Sequence, residues 1–221
     1  IVSSVVTDIS RFANGGMDPD SISQKMMNGA YGKVMKKIIQ ANPDKNSFIP
    51  KGASKFNART FNELWNKIVA EHYQMFPLTN LFNKKMVKNS VIAFLPQQAA
   101  KYKVFQGVTT AAADAKGNFA FDTNFCQSLI NYAFITGEKC KNLRKYQSGG
   151  GTIPDDWCYI EFLILHEILH YTMADAWYRK KMPADSRPII NYVGDFRSNY
   201  MLHKAGIPVP PGSLLNDKLN F

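Results

Sequence analysis

Two histidines stand four residues apart, with a glutamate directly after the first, in the segment His166-Glu167-Ile168-Leu169-His170. On a helix, side chains four residues apart lie on the same face, so both imidazoles can reach one ion. Glu167 lies about 100° further round the helix, where it can contact a water on that ion but is poorly placed to be a ligand. This spacing predicts a Zn²⁺ site with His166 and His170 as ligands and Glu167 as general base.

The residues around this motif are almost all apolar, namely Phe162, Leu163, Ile164, Leu165, Ile168 and Leu169. A helix that is apolar on nearly every side is buried. Buried imidazoles and a buried carboxylate need polar partners, and one metal ion would satisfy all three polar side chains of the motif. The alternative interpretation is a pair of core histidines that hydrogen-bond to neighbouring groups.

A catalytic zinc site needs a third protein ligand and an open position for water. Asp195, Asn199 and His203 follow one another at intervals of four residues on one face of a predicted helix. We predict Asp195 as the third ligand and keep His203 as the alternative, whereas His72 is interpreted as structural. Three tyrosines could offer a hydroxyl to a tetrahedral intermediate: Tyr171, Tyr192 and Tyr200.

Hydrophobic periodicity and turn residues predict an α+β fold that is mainly helical, with a small sheet or hairpin next to the motif helix. The predicted helices cover residues 20–41, 60–76, 125–135, 154–180 and 191–204. The predicted strands cover residues 91–95, 102–110 and 118–122, and Asp114-Ala115-Lys116-Gly117 marks a hairpin turn between the last two. Thr60 and Glu63 form a predicted capping box, and Pro188 is assigned to the loop before the last helix.

Length and composition fit one domain. The chain has 221 residues, of which 45% are hydrophobic and 20% charged. We predict a single zincin-like domain over residues 1–221, in which residues 1–90 form a helical N-terminal part and residues 91–221 hold the sheet, the motif helix and the third-ligand helix. No apolar run is long enough to predict a transmembrane helix or membrane partner, and the first residues lack the features of a signal peptide.

Cysteine usage and charge bear on the compartment and on partners. The chain has three cysteines, an odd number without a CxxC spacing: Cys126, Cys140 and Cys158. We therefore predict reduced thiols, and hence a cytoplasmic protein. The net charge of +10 would attract an acidic partner or nucleic acid. Since no nucleic-acid-binding motif accompanies the charge, a solvated basic surface is the preferred interpretation.

Four segments of the C-terminal half stand in a particular order. They are the turn and strand of residues 114–125, the motif of residues 166–170, the stretch 191–195 with Asn199, and the Gly/Pro segment 206–212. Together, over residues 111–215, they resemble the metallopeptidase domain that often precedes a von Willebrand factor A-like domain in bacterial proteins. Domains of this type also occur in large bacteriophages.

The resemblance implies a zincin-like peptidase with His166, His170 and Asp195 as zinc ligands. It implies that Asn199 lies beside the ligands without binding the ion. It also implies a peptide or protein substrate, and a bacterial or phage-infected host cell as the setting.

The last predicted helix departs from the pattern of that family. Gly194 replaces a usual alanine, and Arg197 and Ser198 replace residues that are usually apolar. We therefore expect a helix that is more polar than in the family.

Three functions are compatible with these residues. In a zinc peptidase, the metal would polarise the scissile carbonyl. Glu167 would take a proton from the bound water and pass it to the leaving amine. The edge of the hairpin would hold an extended peptide. In a zinc-stabilised binding protein of a virion or regulatory complex, catalysis would be weak or absent, and a cleft closed by residues 148–151 would favour that interpretation. In a nucleic-acid-binding protein the zinc would be incidental, and DNA retention would depend steeply on salt.

Overall fold

The computed structural model describes residues 49–71, 90–138, 153–210 and 213–215. Within these ranges the fold is α+β, mostly helical with a three-stranded sheet, as predicted. The predicted helix over residues 20–41 and the segment 148–151 lie outside the described residues. The described part of the predicted N-terminal portion is mainly one helix.

Helix α1 spans Ala58–Glu71 and buries the apolar face that periodicity predicts. Asn57 precedes it, and its Oδ1 accepts hydrogen bonds from the backbone of Arg59 at 2.8 Å and of Thr60 at 3.2 Å. The predicted capping box was wrong, because the helix begins one turn earlier and Glu63 pairs with Arg59 at 3.2 Å. The buried side chains of this face are Phe61, Leu64, Trp65 and Ile68.

The sheet has the strand order β1-β3-β2, with β1 at Ile92–Leu95, β2 at Ala111–Ala113 and β3 at Phe119–Asp122. β1 runs parallel to β3, and β2 runs antiparallel to it. The predicted turn joins β2 to β3, since Asp114 Oδ1 accepts from the backbone of Lys116 and Asn118 at 2.8 and 2.9 Å. Asx turns of this kind use the short aspartate side chain to hold the backbone of the turn.

The strand predicted over residues 102–110 was wrong. That stretch forms a 3₁₀ turn at Lys103–Phe105 and then turns again at Gly107, which has φ of +84°. Phe105 points into a small core formed with Ala93, Leu95 and Ala120, so its burial does not require a strand. The observed strand is the alanine run that follows, whose low β-propensity hides it from the sequence.

Helix α2 spans Thr123–Thr136 and follows β3 directly. Asp122 caps it by accepting a hydrogen bond from the backbone of Phe125 at 2.8 Å. Gly137, with φ of +70°, ends it in the left-handed conformation that favours glycine. The prediction of a helix over residues 125–135 is confirmed, with two further residues at its start and one at its end.

The predicted helix over residues 154–180 is interrupted. A 3₁₀ turn at Asp155–Trp157 leads into helix α3, Cys158–Thr172, and a separate helix α4 spans Asp175–Lys181. Between them Ala174 has φ of +58°, a conformation that costs a non-glycine residue about 1–2 kcal/mol. The single long helix was therefore wrong, because neither glycine nor proline marks this break.

Helix α5 spans Arg187–Lys204, with Pro188 in its first turn rather than in the preceding loop. Proline suits this position because the first N–H groups of a helix have no internal partner. Helix α3 contacts all of α1, α2, α4, α5 and β2. It is buried on nearly every side, so the motif helix is the centre of the described core.

Cys126 and Cys158 are free and buried, as predicted for these two residues. Arg179, Lys180 and Lys181 are exposed at the end of α4. Across the described residues, no helix combines the length and the apolar character that spanning a membrane requires.

Gly117 offers a test of how the hairpin meets α3. Its φ is +79°, and a Cβ there would lie 2.8 Å from Cζ of the buried Tyr171. Gly117→Ala should lower the free energy of unfolding by about 2–4 kcal/mol, from left-handed strain and from overpacking. Urea denaturation measures this loss.

Gly137→Ala is the matched control, because Gly137 has φ of +70° and open space around its Cα. It should lose only the strain, about 1–2 kcal/mol. Equal losses in the two variants would contradict a tight contact between the hairpin turn and Tyr171.

Candidate metal centre

Helix α3 carries the two motif histidines, and their rings approach each other on one face. Nε2 of His166 lies 2.9 Å from Nε2 of His170. The ring planes are nearly perpendicular, at 80°, with centroids 4.5 Å apart. The four-residue spacing therefore brings both Nε2 atoms to one point, as the sequence predicts.

Helix α5 brings Asp195 to the same point. Its Oδ1 lies 2.9 Å from Nε2 of His170 and 3.3 Å from Nε2 of His166. Ligand atoms that share a tetrahedral ion at about 2.0–2.1 Å lie about 3.3 Å apart, so this triangle is close to the size of a metal site. Among the described residues, these three side chains form a group that could hold a metal ion.

The group attracts positive charge. Burial alone would lower the pKa of His170, but its hydrogen bonds to Asp175 and Asp195 outweigh burial and raise that pKa to about 10. Burial alone would raise the pKa of Asp195, but hydrogen bonds and the charges of His166 and His170 hold it well below its ordinary value. Two imidazoles and a carboxylate that converge in this way offer three atoms that could ligate one metal cation.

Glu167 lies beside the ligands without being one of the converging group. Its side chain is buried, and burial raises its pKa, although the charges of His170 and His166 oppose the shift. A carboxyl group with a raised pKa is a stronger base than an exposed one. Glu167 thus lies outside the group that could hold a metal ion, and its role as general base stays a prediction.

A cavity of about 320 Å³ opens in front of this group. His166, Glu167, His170 and Asp195 contribute its polar wall. Strand β2 forms another part of the wall. The apolar part is lined by Phe125, Leu129, Phe162, Leu163, Pro210 and Leu214.

The structure separates the remaining predicted site residues from the ligands. His203 is exposed and lies outside the converging group, whereas Asn199 lines the cavity and donates a hydrogen bond to the backbone of Leu214 at 3.0 Å. Asn199 thus attaches the C-terminal segment to α5. His72 lies outside the described residues, and none of the described cavity-lining residues is one of the three tyrosines that we considered.

Two residues of the site were missed from the sequence. Asp175 Oδ2 contacts Nδ1 of His170 at 2.8 Å, and Arg197 Nη2 contacts both oxygens of Asp175 at 2.8 Å. On an unbroken helix Asp175 would lie about 140° round from His170, so the predicted long helix placed it on another face. No local pattern marks Asp175, because the break at Ala174 is what brings it back.

No family model matches the chain, and searches of curated proteins and of solved structures found no match. The resemblance to a metallopeptidase domain thus stays a prediction from the motifs. The candidate metal centre depends on its own geometry.

Metal content tests the ligand set. After loading with zinc and dialysis against a chelator, the wild type should keep about one zinc per chain, whereas His166→Ala and Asp195→Ala should lose it, since each removes one of three ligands. Elemental analysis gives the stoichiometry. His203→Ala is the control and should keep the metal. If Asp195→Ala kept full stoichiometry and His203→Ala lost it, the third ligand would be His203.

Proposed function

We propose that the protein is a zinc-dependent peptidase with a zincin-like active site. The observation that carries this proposal is the convergence of His166, His170 and Asp195 in the wall of a cavity that Glu167 also lines. Two imidazoles and one carboxylate suit zinc among the common divalent ions. Three protein ligands leave the open coordination position that distinguishes catalytic from structural zinc sites.

Bound zinc would supply Lewis acidity, polarising a carbonyl and lowering the pKa of a water. Glu167 then acts as general base. It takes a proton as the water oxygen attacks the carbonyl carbon, and it gives that proton to the amine nitrogen as the C–N bond breaks. The second proton of the water stays on the new carboxyl group, so the products are a carboxylic acid and an amine. Transfer of that proton to the amine gives a carboxylate and an ammonium group, and Glu167 returns to its ionised state.

The edge of β2 suits the binding of an extended peptide. Asp114 N–H donates to Asn118 O at 2.9 Å, and hydrogen-bonded pairs alternate along an antiparallel ladder. The backbone groups of Ala111 and Ala113 therefore point away from β3, and no described strand pairs with this edge. A peptide that adds to the edge would pass the metal ligands, since β2 lines the same cavity.

The apolar wall indicates which side chain such a peptide would place in the cavity. Phe125, Leu129, Phe162 and Leu163 surround a volume suited to one large apolar side chain. Burying such a side chain contributes about 1.5–3 kcal/mol. We therefore propose a preference for peptides with a large aliphatic or aromatic residue beside the scissile bond.

Glu167→Gln tests the general base. Glutamine has the same shape but cannot accept the proton, so we expect turnover to fall by about 10²–10⁴-fold while zinc content stays at the wild-type value. Cleavage of a mixed peptide library, followed by mass spectrometry, gives both the rate and the residues that flank the cleaved bond.

Glu63→Gln is the matched control, because Glu63 pairs with Arg59 on α1 and does not line the cavity. It should cleave at the wild-type rate. Unchanged turnover in Glu167→Gln would rule out the mechanism. A wild type that holds zinc but cleaves no peptide would support the zinc-stabilised binding protein instead.

Ala113→Pro tests the strand edge. Proline removes an outward N–H that the β2–β3 ladder does not use, so stability should change little. Loss of one hydrogen bond to the substrate backbone should lower kcat/KM by about tenfold. Ala113→Ser keeps the N–H and should retain the wild-type kcat/KM. Equal kcat/KM values for the proline variant and the wild type would exclude this edge as the peptide site.

A further inference from the structure

Asp175 connects one metal ligand to the rest of the fold. Its Oδ2 lies 2.8 Å from Nδ1 of His170, and its side chain is only 9% exposed. A carboxylate that accepts from Nδ1–H leaves the lone pair on Nε2, which is the atom that faces Asp195. The contact thus sets both the tautomer and the orientation of His170.

The other histidine ligand has no such contact. Nδ1 of His166 is buried and has no hydrogen-bond partner among the described residues. The two imidazoles of the motif are therefore held unequally. Among the described residues, orientation through Nδ1 is therefore available to His170 and not to His166.

Gly194 provides the space in which Asp175 meets His170. A Cβ at this position would lie 2.7 Å from Oδ2 of Asp175 and 3.2 Å from Cε1 of His170. A carbon and an oxygen atom closer than about 3 Å repel each other, because this separation is shorter than ordinary packing distances. The residue directly before the ligand Asp195 is thus a glycine where any side chain would displace the Asp175 carboxylate.

Arg197 compensates the charge of Asp175. Its Nη2 contacts both carboxylate oxygens at 2.8 Å. A carboxylate that is nearly removed from water is unfavourable without a charged partner. One connected unit thus spans three helices. It consists of His170 on α3, Asp175 on α4, and Gly194 and Arg197 on α5.

We propose that Asp175 is a positioning residue that fixes His170 for metal binding, with Gly194 providing its space and Arg197 its counter-charge. This proposal depends on the metal centre of the proposed function and not on peptide hydrolysis. Residues that orient a ligating histidine through its second nitrogen commonly change metal affinity by about 10–100-fold.

The experiment is a double-mutant cycle read as zinc affinity. The zinc dissociation constant is measured at fixed pH by competition with a chromophoric chelator, for the wild type, Asp175→Ala, Gly194→Ala and the double variant. Asp175→Ala should weaken binding by about 10–100-fold. Gly194→Ala should weaken it comparably in the wild type but by a clearly smaller factor in the Asp175→Ala background, where the clashing carboxylate is gone and only the 3.2 Å approach to Cε1 of His170 remains.

Asp175→Asn keeps an oxygen that can accept from Nδ1–H, so it should recover part of the affinity that Asp175→Ala loses. Asp185→Ala, which removes an exposed carboxylate before α5, is the control and should bind zinc as the wild type does. If Asp175→Asn recovers zinc affinity, the loss in Asp175→Ala is not caused by misfolding. Thermal melts of each variant would detect misfolding directly.

Three outcomes would overturn the proposal. Wild-type affinity in Asp175→Ala, with only lower stability, would make the contact merely structural. Strictly additive effects of the two substitutions would mean that Gly194 does not act through Asp175. A wild type that binds no zinc would overturn the metal centre and this proposal with it. A wild type that binds zinc but cleaves no peptide would overturn only the proposed peptidase function, and the double-mutant cycle would still test the role of Asp175.

Discussion

Burial of two imidazoles and a carboxylate in an apolar helix is the constraint on which this structure depends. Helix α3 is surrounded by the other described helices and by β2, so His166, Glu167 and His170 have little access to water. Polar groups in such a place need partners. α5 supplies one by bringing Asp195 to the two Nε2 atoms. Burial alone would lower the pKa of His170, but its hydrogen bonds to Asp175 and Asp195 raise that pKa to about 10.

The parts of this arrangement that follow from local periodicity could be predicted from the sequence. The reach of His166 and His170 to one point depends only on helical spacing, and the hairpin turn at Asp114 depends on an aspartate side chain that bonds to its own turn. Asp195 could be proposed because only a few downstream side chains can ligate a metal. The mainly helical α+β class follows from the same patterns.

The parts that depend on tertiary contact could not be predicted. Strand β2 is three alanines with weak β-propensity, and it is a strand because it pairs with β3 and packs against α3. The residues 102–110 have the stronger strand pattern, but Phe105 finds its burial in a 3₁₀ turn. No glycine or proline marks the break at Ala174, so local sequence favours an unbroken helix. An unbroken helix would place Asp175 on a different face from His170, and its contact with His170 was therefore not predicted.

The strained residue Ala174 and two residues of α5, Gly194 and Arg197, are connected through Asp175. Ala174 takes a positive φ that costs about 1–2 kcal/mol, and the turn it makes returns Asp175 to His170. That return needs an empty position at residue 194 and a cation at residue 197, and Gly194 and Arg197 of α5 supply them. Arg197 on α5 therefore faces a buried carboxylate rather than solvent alone. Helical spacing explains why two histidines can reach one ion, whereas the orientation of His170 comes from residues that the motif does not contain.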